Sequence, residues 1–163
     1  MSGSPSNVRR EREAANVIAK QDFVTVSIEG QLFGIPVLMV QDILSPQKIT
    51  PVPLAPAAVE GSLNLRGRIV TAINVRTKLG ISPSKEFHTP MNVVVESGGE
   101  LYSLMVDSVG EVLSLPDDQF EANPATLDEL WRAVSQGIYR LEGQLLVILN
   151  VASLLSFETD TGN

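Results

Sequence analysis

From Phe23 onward, short apolar runs alternate with turn residues, and few apolar stretches show a helical period. "FVTVSIEGQLFGIPV" (23–37) reads as two strands around a Glu29-Gly30 turn, because apolar and polar positions alternate on either side of it. "NVVVESGGELYSLMV" (92–106) repeats that grammar around Gly98-Gly99. "RIVTAI" (68–73) and "QLLVIL" (144–149) are largely apolar, which predicts strands covered on both faces. "VLMVQDIL" (37–44), apolar at Val37, Val40 and Ile43 or Leu44, fits a bent strand or one helical turn. "SPQKITPVPLAPAAVEG" (45–61) holds four prolines and is mostly loop. "NPATLDELWRAV" (123–134) predicts a helix. It starts with Asn123 as N-cap and Pro124 at the first position, or with Thr126 and Glu129 as a capping box. Trp131 within it reads as a core or groove anchor. Residues 1–21 open with Ser, Gly and Pro and carry scattered apolar positions, so they read as a flexible tail. Residues 158–163 form a polar tail, leaving 22–157 as the folded part.

The pattern occurs twice. "QLFGIPVLMVQDIL" (31–44) aligns without gaps on "ELYSLMVDSVGEVL" (100–113), bringing Leu32 onto Leu101, Val40 onto Val109 and Asp42 onto Glu111. "GSLNLRGRIVTAINVRTKL" (61–79) aligns on "GIYRLEGQLLVILNVASLL" (137–155), bringing Gly61 onto Gly137, Gly67 onto Gly143 and Asn74 onto Asn150. Two blocks in the same order imply duplication. The expected architecture is mainly β: two related modules, roughly 31–79 and 100–155, with short helices. Gly67 and Gly143 fit turns that require a positive φ. Asn74 and Asn150 end their strands and fit caps of short helical turns. At one turn position the repeats differ: Arg66 stands opposite Glu142. If the same backbone accepts both, Arg66 serves something special to the first half.

Composition narrows the function. The chain of 163 residues has no cysteine, which removes disulfides and thiol chemistry and fits a reducing cytoplasm. A net charge of −7 argues against a nucleic-acid binder. No apolar run reaches the roughly 20 residues of a membrane-spanning helix. The charges are unevenly placed: Arg66, Arg68, Arg76 and Lys78 share a segment without acids, whereas ten acids and no Lys or Arg fall between Glu86 and Glu129. Complementary faces, associating head to tail, are the sharper reading of that asymmetry. Catalytic vocabulary is sparse. His88 is the only histidine, in a loop-like segment, and no nucleophile-elbow motif occurs. Asp107, Glu111, Asp117 and Asp118 are the remaining candidates, without the ligand alternation of a calcium loop. Two classes therefore stand: a non-catalytic adaptor without cofactors, and a small metal-dependent enzyme using the Asp107–Asp118 region.

"GSLNLRGRIVTAINVRTKLG", with "FGIPVLMVQDIL", "LMVDSVGEVLSLP" and "LVILNVASLL" in order and spacing, resembles the CheW-like domain family over about residues 22–157. The resemblance implies two five-stranded SH3-like β-barrels around a shared core. It also implies a stand-alone adaptor linking methyl-accepting chemoreceptors to the histidine kinase CheA, with copies of the adaptor joining in rings. Receptor-contacting positions carried over from the family are Val40, Asp42, Gly61 and Arg66. Asp42 is commonly glutamate there, Asn74 and Asn150 replace frequent aspartates, and Ser103 stands where glycine is often found. For kinase contact the resemblance supplies no residue; the apolar trio Val106, Val109 and Val112 is the expectation.

Overall fold

The computed structural model describes residues 18–82 and 89–157, so the expectations for residues 1–17, His88 and residues 158–163 lie outside it. Ten strands form in chain order: β1 (Lys20–Ile28), β2 (Gln31–Pro36), β3 (Val40–Leu44), β4 (Val59–Leu65), β5 (Arg68–Asn74), β6 (Met91–Ser97), β7 (Glu100–Val106), β8 (Ser108–Pro116), β9 (Ser135–Leu141) and β10 (Gln144–Leu149). Three short helices intervene: α1 (Val75–Lys78), α2 (Glu129–Ala133) and α3 (Val151–Leu154). The ambiguous "VLMVQDIL" is both of its readings in sequence, a 3-10 turn over Val37–Met39 and then β3. The folded part begins two residues before the expected boundary. Lys20 and Gln21 already pair with Pro116 and Leu115, and their polar side chains hid the strand.

The strands build two five-stranded sheets, ordered β8-β1-β2-β10-β9 and β3-β6-β7-β5-β4. Under the repeat alignment these orders are the same: β8 matches β3, β1 matches β6, β2 matches β7, β10 matches β5 and β9 matches β4. The registers agree residue by residue. Leu146 faces Leu32 across the parallel β10–β2 pair, and their counterparts Val70 and Leu101 face each other across β5–β7. The duplication is therefore real, but a repeat is not a sheet. The chain leaves the first sheet after β2 and returns at β8, so β3 to β7 make the second sheet and both chain ends make the first. The expectation that 31–79 and 100–155 each form one module is corrected on this point. A matching local pattern does not say which copy of the repeat a strand pairs with.

Burial follows the same plan. The largest apolar cluster lies between the sheets and draws on both, with Val26, Phe33, Ile73, Leu104, Ile138 and Leu149 fully buried. Each sheet also curls around a smaller interior: Phe23, Tyr139, Leu146 and Ile148 in the first, Leu63, Val70, Ala72, Val94 and Leu101 in the second. The interiors solve one position differently. The first places Phe23 against Gly34, where a Cβ would meet Ile148 Cδ1 at 2.9 Å. At the matching positions the second has Asn92 and Ser103, and the Ser103 hydroxyl donates to Asn92 Oδ1 at 2.8 Å. The serine thus replaces glycine without disturbing the hairpin, because the partner residue shrinks and satisfies its hydroxyl.

The caps read from sequence hold. Asn74 accepts from Thr77 N and Asn150 from Ser153 N, at 3.2 and 3.1 Å. The 123–134 helix is shorter than expected. It spans α2 alone, and Asp128 caps it through Leu130 N, while Asn123 bonds Ser135 instead. Trp131 is the expected anchor: it tilts against Phe33 at 5.2 Å between centroids and donates from Nε1 to Leu79 O.

Gly61 and Gly137 mark the tightest approaches. Both have φ near +150°, and a Cβ on Gly61 would lie 2.1 Å from Thr50 O, one on Gly137 2.5 Å from Glu121 O. Neither carbonyl is free to move, since each completes a bridge to the strand carrying or flanking the glycine. Gly61→Ala is expected to destabilise the protein by about 2–3 kcal/mol. Urea denaturation measures it, and an unchanged midpoint would show that the 45–58 loop yields.

Candidate functional site

The β4–β5 hairpin closes with a two-residue loop, Arg66-Gly67, flanked by the Leu65–Arg68 pair. Its φ values are +51° and +83°, both positive as a type I′ turn requires. At the matching β9–β10 loop only Gly143 is left-handed, at +78°, and Glu142 is not. The two repeats therefore do not share this turn, which corrects the expectation that one backbone accepts both residues. Arg66 sits in a region that a non-glycine residue rarely enters, at a cost of order 1 kcal/mol. One contact on the turn was not foreseen: Asn64 Oδ1 accepts the Gly67 N–H at 2.9 Å.

The Arg66 side chain stands 78% exposed, with Nη2 donating to Asp42 Oδ2 at 3.1 Å. Asp42 also accepts from Ile43 N through Oδ1, at 2.8 Å, so its carboxylate is fixed before Arg66 reaches it. β3 and β4 are the outer strands of the second sheet, and this ion pair links one rim to the hairpin of the other. A register shift lies between Val40 and Asp42, where Gln41 is the extra residue. Bulges re-aim side chains at sheet edges. Val40 is half-buried against the shared core. Gly61, the fourth expected contact, is buried, so it shapes β4 and offers no side chain.

The trio expected for kinase contact does not form one surface. Val106 is 1% exposed within the shared core, Val109 packs partly against it, and Val112 alone is open, at 56%. A spacing of three residues does not keep to one face of a strand.

The basic segment does not form a single face either. Arg76 turns inward, 12% exposed, and donates to both carboxylate oxygens of Asp107, at 2.9 Å from Nε and 2.6 Å from Nη2. Its Nη1 reaches Glu29 Oε1 at 2.6 Å. The Glu29 N–H in turn donates to Asp107 Oδ2 at 2.8 Å. Arg76 follows the second sheet, Glu29 belongs to the β1–β2 turn, and Asp107 sits where the chain crosses between sheets, so the network ties them at that seam. The Asp107 hydrogen bond is the main reason that the Arg76 pKa lies above its ordinary value. Lys78 donates to Ser156 O and lies 4.8 Å from the Phe157 ring centroid. Of the four basic residues, Arg66 and Arg68 remain exposed on the β4–β5 hairpin, so the basic patch is narrower than the 66–78 segment suggests. Of the acids the enzyme alternative would use, Asp107 holds Arg76, and Asp117 and Asp118 open a 3-10 turn.

The family model for the CheW-like domain matches residues 22–159. The chain belongs to the CheW-like domain family. Among similar proteins is the chemotaxis protein CheW of Klebsiella aerogenes, 28% identical over 138 residues, covering 85% of this chain and 83% of that one. The chemotaxis protein CheW of Helicobacter pylori is 26% identical over 152 residues, covering 90% and 92%. The crystal structure of the scaffolding protein TtCheW from Thermoanaerobacter tengcongensis superposes with a TM-score of 0.72 at 27% identity, over 80% of this chain and 89% of that one. The two sheets are accordingly the two SH3-like subdomains of the CheW fold. As a CheW-like domain the chain is a chemotaxis coupling scaffold and not an enzyme. No helix of the described residues is long and apolar enough to cross a membrane.

Arg66 and Arg76 of this CheW-like domain separate surface from structure. Arg76→Ala removes a largely buried partner from Asp107 and is expected to cost about 3 kcal/mol of stability. Arg66→Ala breaks an exposed pair and is expected to cost less than about 1 kcal/mol. Thermal unfolding of both variants checks this; equal losses would contradict the division.

Proposed function

We propose that this chain couples methyl-accepting chemoreceptors to the histidine kinase CheA, and that its receptor contact runs through Arg66, with Asp42 and Val40 beside it. Family membership supports the coupling role, and one observation supports the site. Arg66 is held on left-handed backbone, mostly exposed, at a turn that the second repeat builds without a left-handed residue other than glycine. A residue kept at that cost is more simply explained by what it touches outside the chain than by an exposed ion pair worth little. Arginine suits such a contact, because its planar fork donates to carboxylates or backbone carbonyls and its stem packs on apolar side chains. Asp42 restrains the fork, which lowers the entropy lost when a partner arrives.

The kinase contact is assigned to the first sheet's outer strand β8, where Val112 is exposed. With receptor and kinase on different sheets, the scaffold works by geometry: a rigid shared core sets the distance and angle between two partners. The expected location is the receptor array.

Arg66→Ala is expected to weaken binding of a receptor-tip fragment by about 1–3 kcal/mol, the scale of an interfacial arginine, while CheA binding persists. Val112→Glu is expected to do the converse. Calorimetric titration of each partner measures both. Receptor binding that survives Arg66→Ala while CheA binding fails would reverse the assignment.

A further inference from the structure

We infer that Asn64 is a positioning residue for the Arg66 contact: its side-chain carbonyl pins the turn that holds Arg66 left-handed and outward. The inference rests on the receptor reading above and extends it to a residue that touches no partner.

Four hairpins of the fold close with two-residue loops, and they form an internal comparison. At Gly98-Gly99 both residues are left-handed, at +60° and +81°, which glycine allows without a Cβ clash. At Glu29-Gly30 the first residue is not glycine, yet its φ is +52°, and Asp107 Oδ2 accepts the Glu29 N–H at 2.8 Å. At Arg66-Gly67 the first residue is again not glycine, its φ is +51°, and Asn64 Oδ1 accepts the Gly67 N–H at 2.9 Å. At Glu142-Gly143 the residue matching Asn64 is Arg140. Its guanidinium Nε turns to Glu121, at 3.0 and 3.1 Å from the two carboxylate oxygens, and Glu142 is not left-handed. Among these hairpins, a left-handed residue other than glycine thus occurs in the two turns where a side-chain oxygen holds a turn amide. It does not occur at the matching turn where the equivalent side chain points elsewhere.

The physics runs the same way. Asn64 donates nothing to a partner in this role; it offsets part of the cost of the Arg66 backbone by accepting one amide proton. Without that bond, the turn is free to adopt the form seen at Glu142-Gly143, and the Arg66 Cα–Cβ direction changes. Arg66 then leaves Asp42, and the fork must be reordered on binding.

The test uses the full chain with four variants: Asn64→Ala, Asn64→Asp, Arg66→Ala and the Asn64→Ala/Arg66→Ala double substitution. A receptor-tip fragment is the binding probe, and the Gly67 amide exchange rate reads the turn directly. Asn64→Ala is expected to weaken binding by about three- to tenfold, the scale of one hydrogen bond, and to accelerate Gly67 exchange. Asn64→Asp, which keeps an acceptor at the same place, restores both. In the Arg66→Ala background, Asn64→Ala changes binding by less than about twofold, because the two act as one unit. The inference is overturned by wild-type binding of Asn64→Ala, by an equal loss in both backgrounds, by failure of Asn64→Asp to restore, or by loss of folding in Asn64→Ala. Binding unaffected by Arg66→Ala would instead sink the receptor reading, while the Gly67 exchange rate would still decide whether Asn64 holds the turn.

Discussion

The parallel pairing of β2 with β10 and of β7 with β5 is the constraint on which the rest depends. Each pair joins a strand of one repeat to a strand of the other, so neither sheet exists until both repeats are present. Such long-range pairing is entropically costly to form. The shared apolar layer between the sheets stabilises it, and that layer is continuous only when all ten strands are placed. The result is a single body whose two sheets cannot drift apart without losing core contacts.

That rigidity explains how polar groups are divided. At the seam where the chain passes between sheets, Arg76, Asp107 and Glu29 hold one another through short bonds. The position that matches Asp107 at the other crossing is Leu38, which is 91% exposed. The Arg76–Asp107–Glu29 network thus has no counterpart at Leu38, and at that crossing it is the flanking Val37 and Met39 that pack against the shared core. Arg66 and Asp42 meet at the rim of the second sheet, outside that lock and outside both interiors. A scaffold needs such separation: groups offered to partners are free to vary only if the core does not use them.

Much of this was legible in the chain. Hairpins announced themselves through Glu29-Gly30 and Gly98-Gly99, and the caps at Asn74 and Asn150 through their place at strand ends. The duplication was visible because equivalent strands face equivalent neighbours, so the same apolar positions recur. The exchange of strands between sheets was not visible, since β3 and β8 have matching patterns and each fits the partner of the other. Nor were the ion pairs. Arg76 finds Asp107 and Glu29 at separations of 31 and 47 residues, which no local pattern encodes. Val106 was misassigned for a simpler reason: an apolar residue in a strand reads the same whether it faces a partner or the core. The turn at Arg66 needed φ values, because Arg-Gly and Glu-Gly look equivalent in sequence and close their hairpins differently.

Dividing the chain between residues 82 and 89 separates β1–β5 from β6–β10 and tests the interlocked fold most directly. Circular dichroism and sedimentation of the two fragments, alone and mixed, measure it. Neither fragment is expected to be a folded monomer, and the mixture is expected to regain the β spectrum and a cooperative thermal transition as a 1:1 complex. A fragment holding β1–β5 that folds cooperatively as a monomer would contradict the interlocking, because that fragment lacks β8, β10 and β7, the strands that β1, β2 and β5 pair with across the division.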